Sequence, residues 1–231
     1  MKFLEISFQV AEFIAALVGV ICIIKYRVDI LTRYFVYYLC LSFIVDIVGN
    51  LPKLILKFED LSFLKDTFLA KNAWLYNTYT VISILFFVLY FRGYLKSDKF
   101  RKILGILAIL FFVSSVLDFL FTDVFFVVHT SFLMIIGTFI ILISVFFYFF
   151  EMLRSEKILE FSKDLVFYVA IGASVFHLCV TPLFIYSSYY KNSISSYFVE
   201  IRQIILYSAI IFMYTCFTIG LVLCSRKNKS Y

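Results

Sequence analysis

Seven times along its 231 residues this chain carries a predominantly apolar run of about twenty residues, the length needed to cross a hydrocarbon layer roughly 30 Å thick. Nothing else in the sequence constrains the fold so strongly. Inside lipid the backbone must satisfy its own hydrogen bonds, so only helices or closed barrels can span. A barrel would alternate apolar and polar residues over strands of roughly ten. Here the runs are continuous, as from Val124 to Phe150. The expected fold is therefore all-α: a polytopic membrane protein built as one bundle of seven transmembrane helices. Composition agrees, with 64% hydrophobic and only 16% charged residues, against roughly 25% charged in soluble domains.

The expected helices cover about 6–24, 33–50, 73–91, 102–121, 124–150, 163–187 and 197–224, in a single domain spanning 1–231. Only Thr122 and Asp123 interrupt the run between the fourth and fifth. Residues 103–150 as one rod would reach about 70 Å, too long for a single crossing, so a turn is required there. Residues 52–70 carry Leu54, Phe58, Leu61, Leu64 and Phe68 at helical spacing, with Lys53, Lys57 and Asp60 between them. That pattern suits a short amphipathic segment lying in the membrane interface, as an anchor or a lid.

Orientation follows from the basic residues of the connections. Lys25, Arg27, Arg33, Arg92, Lys96, Lys99, Arg101, Lys102, Arg154, Lys157, Lys163, Arg226, Lys227 and Lys229 lie on one side, fourteen in all. Lys2, Lys53, Lys57, Lys65, Lys71 and Lys191, six in all, lie on the other. The N-terminus is thus expected outside and the C-terminus in the cytoplasm. Since membrane topology explains the basic residues, the net charge of +6 gives no reason to expect nucleic acid as a partner. Cys22, Cys40, Cys179, Cys216 and Cys224 are scattered through apolar helices without a CxxC pair, and read as small core residues. A cleaved leader is not expected, because the first run holds Glu12 and ends in Lys25-Tyr26-Arg27.

Polar residues within the spans are costly and mark candidate sites. Tyr38, Ser42, Asp46 and Asn50 form one i, i+4 stripe on the second helix, and Glu200, Gln203, Tyr207 and Tyr214 share a face of the seventh. The first helix offers Gln9 and Glu12, followed by the small residues Ala16 and Gly19. The others contribute Asn77 and Thr80, Ser114 and Asp118, His129 and Thr130, and Ser174, His177 and Thr181 beside Pro182. With the orientation above, all these groups fall in the outer half, over an inner half of Phe, Leu, Ile and Val. The expectation is an outward-facing polar pocket over a sealed apolar floor, with Glu12, Asp46, Asn50, Asn77, Asp118, His129, His177, Glu200, Gln203 and Tyr207 as ligand-binding candidates. Each has a plainer reading: carboxylates facing headgroup water, histidines hydrogen-bonded in the packing, and Asn, Ser and Thr joining helices.

Three functions suit such a pocket. The first is binding or sensing of a small polar ligand or ion, favoured over transport because no inner pathway and no paired halves are visible. The second is a metal-dependent intramembrane hydrolase acting on a lipid or amide, with zinc on His129, His177 and Asp46 and an open position for water. Seven-helix ceramidase and adiponectin-receptor-like hydrolases carry three zinc histidines, two in an HxxxH pair; this chain has two histidines in total, so no cofactor is the first expectation. The third is a non-catalytic subunit, or a homo-oligomer, that uses its aromatic surface to bind a membrane partner. Retinal proteins are set aside because residues 197–224 hold no lysine, and G-protein-coupled receptors because Asp-Arg-Tyr and Asn-Pro-x-x-Tyr are missing.

Residues 72–79 (Asn-Ala-Trp-Leu-Tyr-Asn-Thr-Tyr) together with Leu41-Ser42-Phe43-Ile44-Val45-Asp46 resemble small bacterial seven-helix membrane proteins. The resemblance covers about a tenth of the chain and implies the fold but no activity. The Phe-, Ile- and Lys-rich usage suits an AT-rich genome, and the expected location is a bacterial cytoplasmic membrane.

Overall fold

The computed structural model describes residues 2–58, 67, 70–122, 124–127, 130–155, 164–186 and 196–227. All described regular structure is helical: α1 (Lys2–Lys25), α2 (Ile30–Gly49), α3 (Leu51–Lys57), α4 (Ala73–Tyr94), α5 (Asp98–Phe121), α6 (Val124–Val127), α7 (Ser131–Leu153), α8 (Leu165–Ile185) and α9 (Ser196–Lys227). Seven of these helices are long and apolar enough to cross a membrane. They alternate in direction. One end of the bundle therefore carries the start of α1 with the end of α2, and the other carries Lys25 with the starts of α2, α5 and α8.

Six helices close a ring. Packing runs α1 to α2, α2 to α4, α4 to α7, α7 to α8, α8 to α9, and α9 back to α1. The remaining span, α5, leans on the outside of α4 and α7. Its buried residues are Leu104, Ala108, Phe111 and Ser115, a single stripe at helical period, and the rest of its surface is left to lipid. Elsewhere small residues bring backbones together: Gly137 of α7 lies against Ile84 of α4, and Gly19 of α1 lies against Val36 of α2. The ring is filled by aromatic side chains. Phe35, Phe87, Phe91 and Phe217 are fully buried, and Phe35 meets Phe217 edge-on with ring centres 5.1 Å apart.

Local chemistry sets the helix ends. Asp29 caps α2 by accepting from the Thr32 amide at 3.2 Å, and Asn50 closes it by donating to the Asp46 carbonyl at 2.9 Å. Glu151, near the end of α7, accepts from the amides of Lys96 at 2.7 Å and Ser97 at 2.9 Å, tying α7 to the start of α5. Glu151→Ala frees two amides at a partly exposed helix start and should lower stability by about 1 kcal/mol in thermal unfolding in detergent. A variant as stable as the parent would show that water replaces the carboxylate there.

The fifth span begins at Ser131, whereas the apolar run from 124 predicted a helix over 124–150. Val124–Val127 forms a separate turn instead. Side chains occupy the backbone groups that a continuous helix would use. Asn77 donates to the Phe125 carbonyl at 3.0 Å and accepts from the Thr130 amide at 3.1 Å. Of the amphipathic segment expected at 52–70, Leu51–Lys57 is helical, and most of the remainder lies outside the described residues.

Candidate functional site

A cavity of about 140 Å³ sits inside the ring, and all six ring helices line it. Glu12 comes from α1, Tyr38 and Asp46 from α2, and Tyr79, Thr80, Ser83, Ile84 and Phe87 from α4. Met134 comes from α7, Phe176 and His177 from α8, and Ile210, Met213 and Tyr214 from α9. Glu12 lies ten residues from the start of α1, about 15 Å along the helix axis and so near mid-depth.

Glu12 is 3% exposed. It accepts a 2.6 Å hydrogen bond from the Tyr214 hydroxyl of α9. The Asp46 carboxyl is its electrostatic neighbour, close enough for a side-chain hydrogen bond. No Lys or Arg lines the cavity among the described residues. The basic group that acts electrostatically on Asp46 is Lys53, outside the cavity lining and ion-paired with Glu5 at 2.9 Å. Two carboxyls therefore share a low-dielectric space without a cation in the wall.

Hydroxyl groups complete the polar side. Tyr38 lies 2.7 Å from the Ser83 hydroxyl and 3.1 Å from that of Tyr79, which in turn lies 2.7 Å from Ser42. Opposite them, His177 Nδ1 lies 3.1 Å from the Thr138 hydroxyl, which is 3.0 Å from that of Thr181. Phe87 and Phe176 meet the imidazole edge-on. The other walls are aromatic and thioether surface.

Of the residues expected in a pocket, the structure brings together Glu12, Asp46 and His177. Asn77 and Asp118 meet elsewhere. Asn77 is fully buried on the α6 segment, and Asp118 accepts from the Thr130 hydroxyl at 3.1 Å. Asn50 is taken up in capping α2. Tyr207 stacks on Phe8 with ring centres 5.0 Å apart, outside the cavity. Gln203 precedes it by one turn, and the exposed Glu200 stands about two turns nearer the end of the bundle. His129 lies outside the described residues. Among the described residues no three His, Cys, Asp or Glu side chains gather as a metal site. Tyr79, Ser83, Thr138 and Met134 are cavity or network residues that the polar stripes did not single out. The i, i+4 spacing of Tyr79 and Ser83 was the available signal for two of them.

The half of the bundle toward Lys25, expected to be a sealed hydrocarbon floor, holds a second cavity of about 250 Å³. Its lining includes Asp29, Tyr94, Tyr148, Glu151 and Asp164. Comparison of the sequence with protein-family models, with curated proteins and with solved structures returned no match.

Proposed function

We propose that the protein binds a small protonated amine in the mid-depth cavity and acts as a binding or sensing module. The observation that carries this is Glu12, buried to 3% exposure beside Asp46 with no Lys or Arg in the wall among the described residues. A carboxyl pair in such a place is balanced either by a proton held between the two groups or by a bound cation. Size restricts the cation: about 140 Å³ is well below the 300–1,000 Å³ of pockets for drug-sized ligands. The wall chemistry restricts it further. A hard metal ion prefers six or more oxygens, whereas a wall that includes the rings of Tyr38, Tyr79, Phe87 and Phe176 suits an alkylammonium through cation–π attraction. In this reading the N-terminal end faces outward across a bacterial cytoplasmic membrane, which the excess of Lys and Arg in the opposite connections supports.

The test is calorimetric titration of the detergent-purified protein with methylammonium chloride at pH 6, with sodium chloride as the control. Saturable binding is expected for methylammonium. Glu12→Gln should weaken it at least tenfold, about 1.4 kcal/mol, while Asp118→Asn, which lies outside the cavity, should leave it unchanged. Equal affinity in the Glu12→Gln variant, or no saturable heat in the parent, sinks the proposal.

A further inference from the structure

The two cavities lie in one lumen. Thr32 of α2, Tyr94 of α4, Tyr148 of α7, Leu165 of α8 and Cys224 of α9 line the cavity at the Lys25 end, and the same five helices line the mid-depth one. The layer between them is uneven. On α2 it runs from Thr32 to Tyr38, about 9 Å, and on α4 from Phe87 to Tyr94, about 10 Å; from Val166 to Phe176 on α8 and from Tyr214 to Cys224 on α9 it is about 15 Å, and from Met134 to Tyr148 on α7 about 21 Å, in a hydrocarbon core of roughly 30 Å. Phe35 and Phe91 fill this layer, and Tyr90 stands among them. Tyr90 stacks on Phe86, with ring centres 5.7 Å apart, and meets Tyr94 edge-on at 5.1 Å; Phe86 in turn stacks on Tyr38 at 4.2 Å. An aromatic ladder thus joins the wall of one cavity to the wall of the other.

Tyr90 adds a feature that packing does not explain. It is 2% exposed, and among the described residues its hydroxyl makes no well-aligned hydrogen bond, lying beside the Tyr94 hydroxyl. Its other electrostatic neighbours are Asp29 and Tyr148, which with Tyr94 line the second cavity, so it points toward that space from inside the barrier. A phenylalanine would fill the same volume without a poorly satisfied polar atom. The second cavity also has the sign of charge that a cation requires. Asp29, Glu151 and Asp164 face one Lys96, and Asp29 and Glu151 keep acceptor capacity beyond the amides they cap.

We infer that the protein conducts the cation it binds from one end of the bundle to the other, through the aromatic layer of Phe35 and Tyr90 and out by the cavity at the Lys25 end. The inference rests on the amine-binding reading above. Aromatic rings ease a desolvated alkylammonium across the apolar layer, and the Tyr90 oxygen is an acceptor part-way.

The experiment uses the full chain in proteoliposomes at pH 6, with methylammonium outside and an inside-negative potassium diffusion potential. Only the charged form responds to the potential, so permeation of free methylamine is removed by subtracting protein-free vesicles. The expected result is potential-driven uptake above the protein-free rate, abolished in Glu12→Gln. Tyr90→Phe should bind methylammonium in detergent as the parent does, yet pass it several-fold more slowly. Ser155→Trp, which fills the second cavity, should likewise keep binding and lose uptake. A parent that binds but takes up no more than protein-free vesicles overturns conduction and leaves the binding module standing. Absence of binding in the parent overturns both. Full uptake in Tyr90→Phe and Ser155→Trp overturns the route.

Discussion

Replacing Asn77 by leucine is expected to lower stability by about 2–6 kcal/mol, because it strands two buried backbone groups at roughly 1–3 kcal/mol each. Asn77 is fully buried, and leucine preserves its size. Its amide nitrogen serves the Phe125 carbonyl and its oxygen serves the Thr130 amide. Leucine supplies neither group, so the connection between α5 and α7 must find new partners or open. Thermal unfolding in a mild detergent measures the loss. Asp118→Asn, which keeps an acceptor for the Thr130 hydroxyl, is the matched control and should fall by well under half as much. An Asn77→Leu protein within 0.5 kcal/mol of the parent would mean that the bridge contributes nothing.

Gly137→Val should be comparably damaging, at about 3 kcal/mol, the upper part of the range for overpacking a filled core. A Cβ at position 137 meets the Ile84 Cδ1 atom and lies 2.8 Å from its Cγ1, so the whole side chain has to move and not merely its tip. Ile84 is 1% exposed and itself lines the mid-depth cavity, so one direction open to it is into that space. The variant is therefore expected to lose methylammonium binding together with stability. Adding Ile84→Ala should restore much of both, a coupling visible as non-additivity in a double-mutant cycle. Unchanged affinity in Gly137→Val, or strictly additive effects, would refute the contact.

The sequence made the spans legible because each is a long apolar run with basic residues at one set of ends, and neither property depends on tertiary packing. It also carried part of the cavity wall. The stripe of Tyr38, Ser42 and Asp46 needs only helical periodicity, and Glu12 announces itself as a carboxylate inside a hydrocarbon run. What periodicity cannot supply is the rotation of each helix about its own axis. Asn77 and Asp118 have the same composition signal as Glu12 and Asp46, yet they turn toward Phe125 and Thr130, where Asn77 meets two backbone groups and Asp118 the Thr130 hydroxyl. Glu200 shares a face with Tyr214 but lies some four turns away along α9, at the far end of a helix of 32 residues. The second cavity was hidden for a different reason. Asp29, Glu151 and Asp164 sit in or beside basic connections and read there as interface charge. Only the convergence of the starts of α2 and α8 with the end of α7 places them around a common space.

The closing of the ring through its first and last helices has a consequence for how the chain is made. Glu12 is held by Tyr214, a partner 202 residues later in the sequence. At ordinary synthesis rates of about 5–20 residues per second, α1 enters the bilayer roughly 10–40 s before that partner is polymerised. Throughout that interval the nascent protein carries an acidic group in the membrane with its lumenal wall unbuilt. Closure of the ring therefore waits for α9, and a ribosome that stalls before α9 leaves Glu12 in the membrane without the hydroxyl that it accepts from.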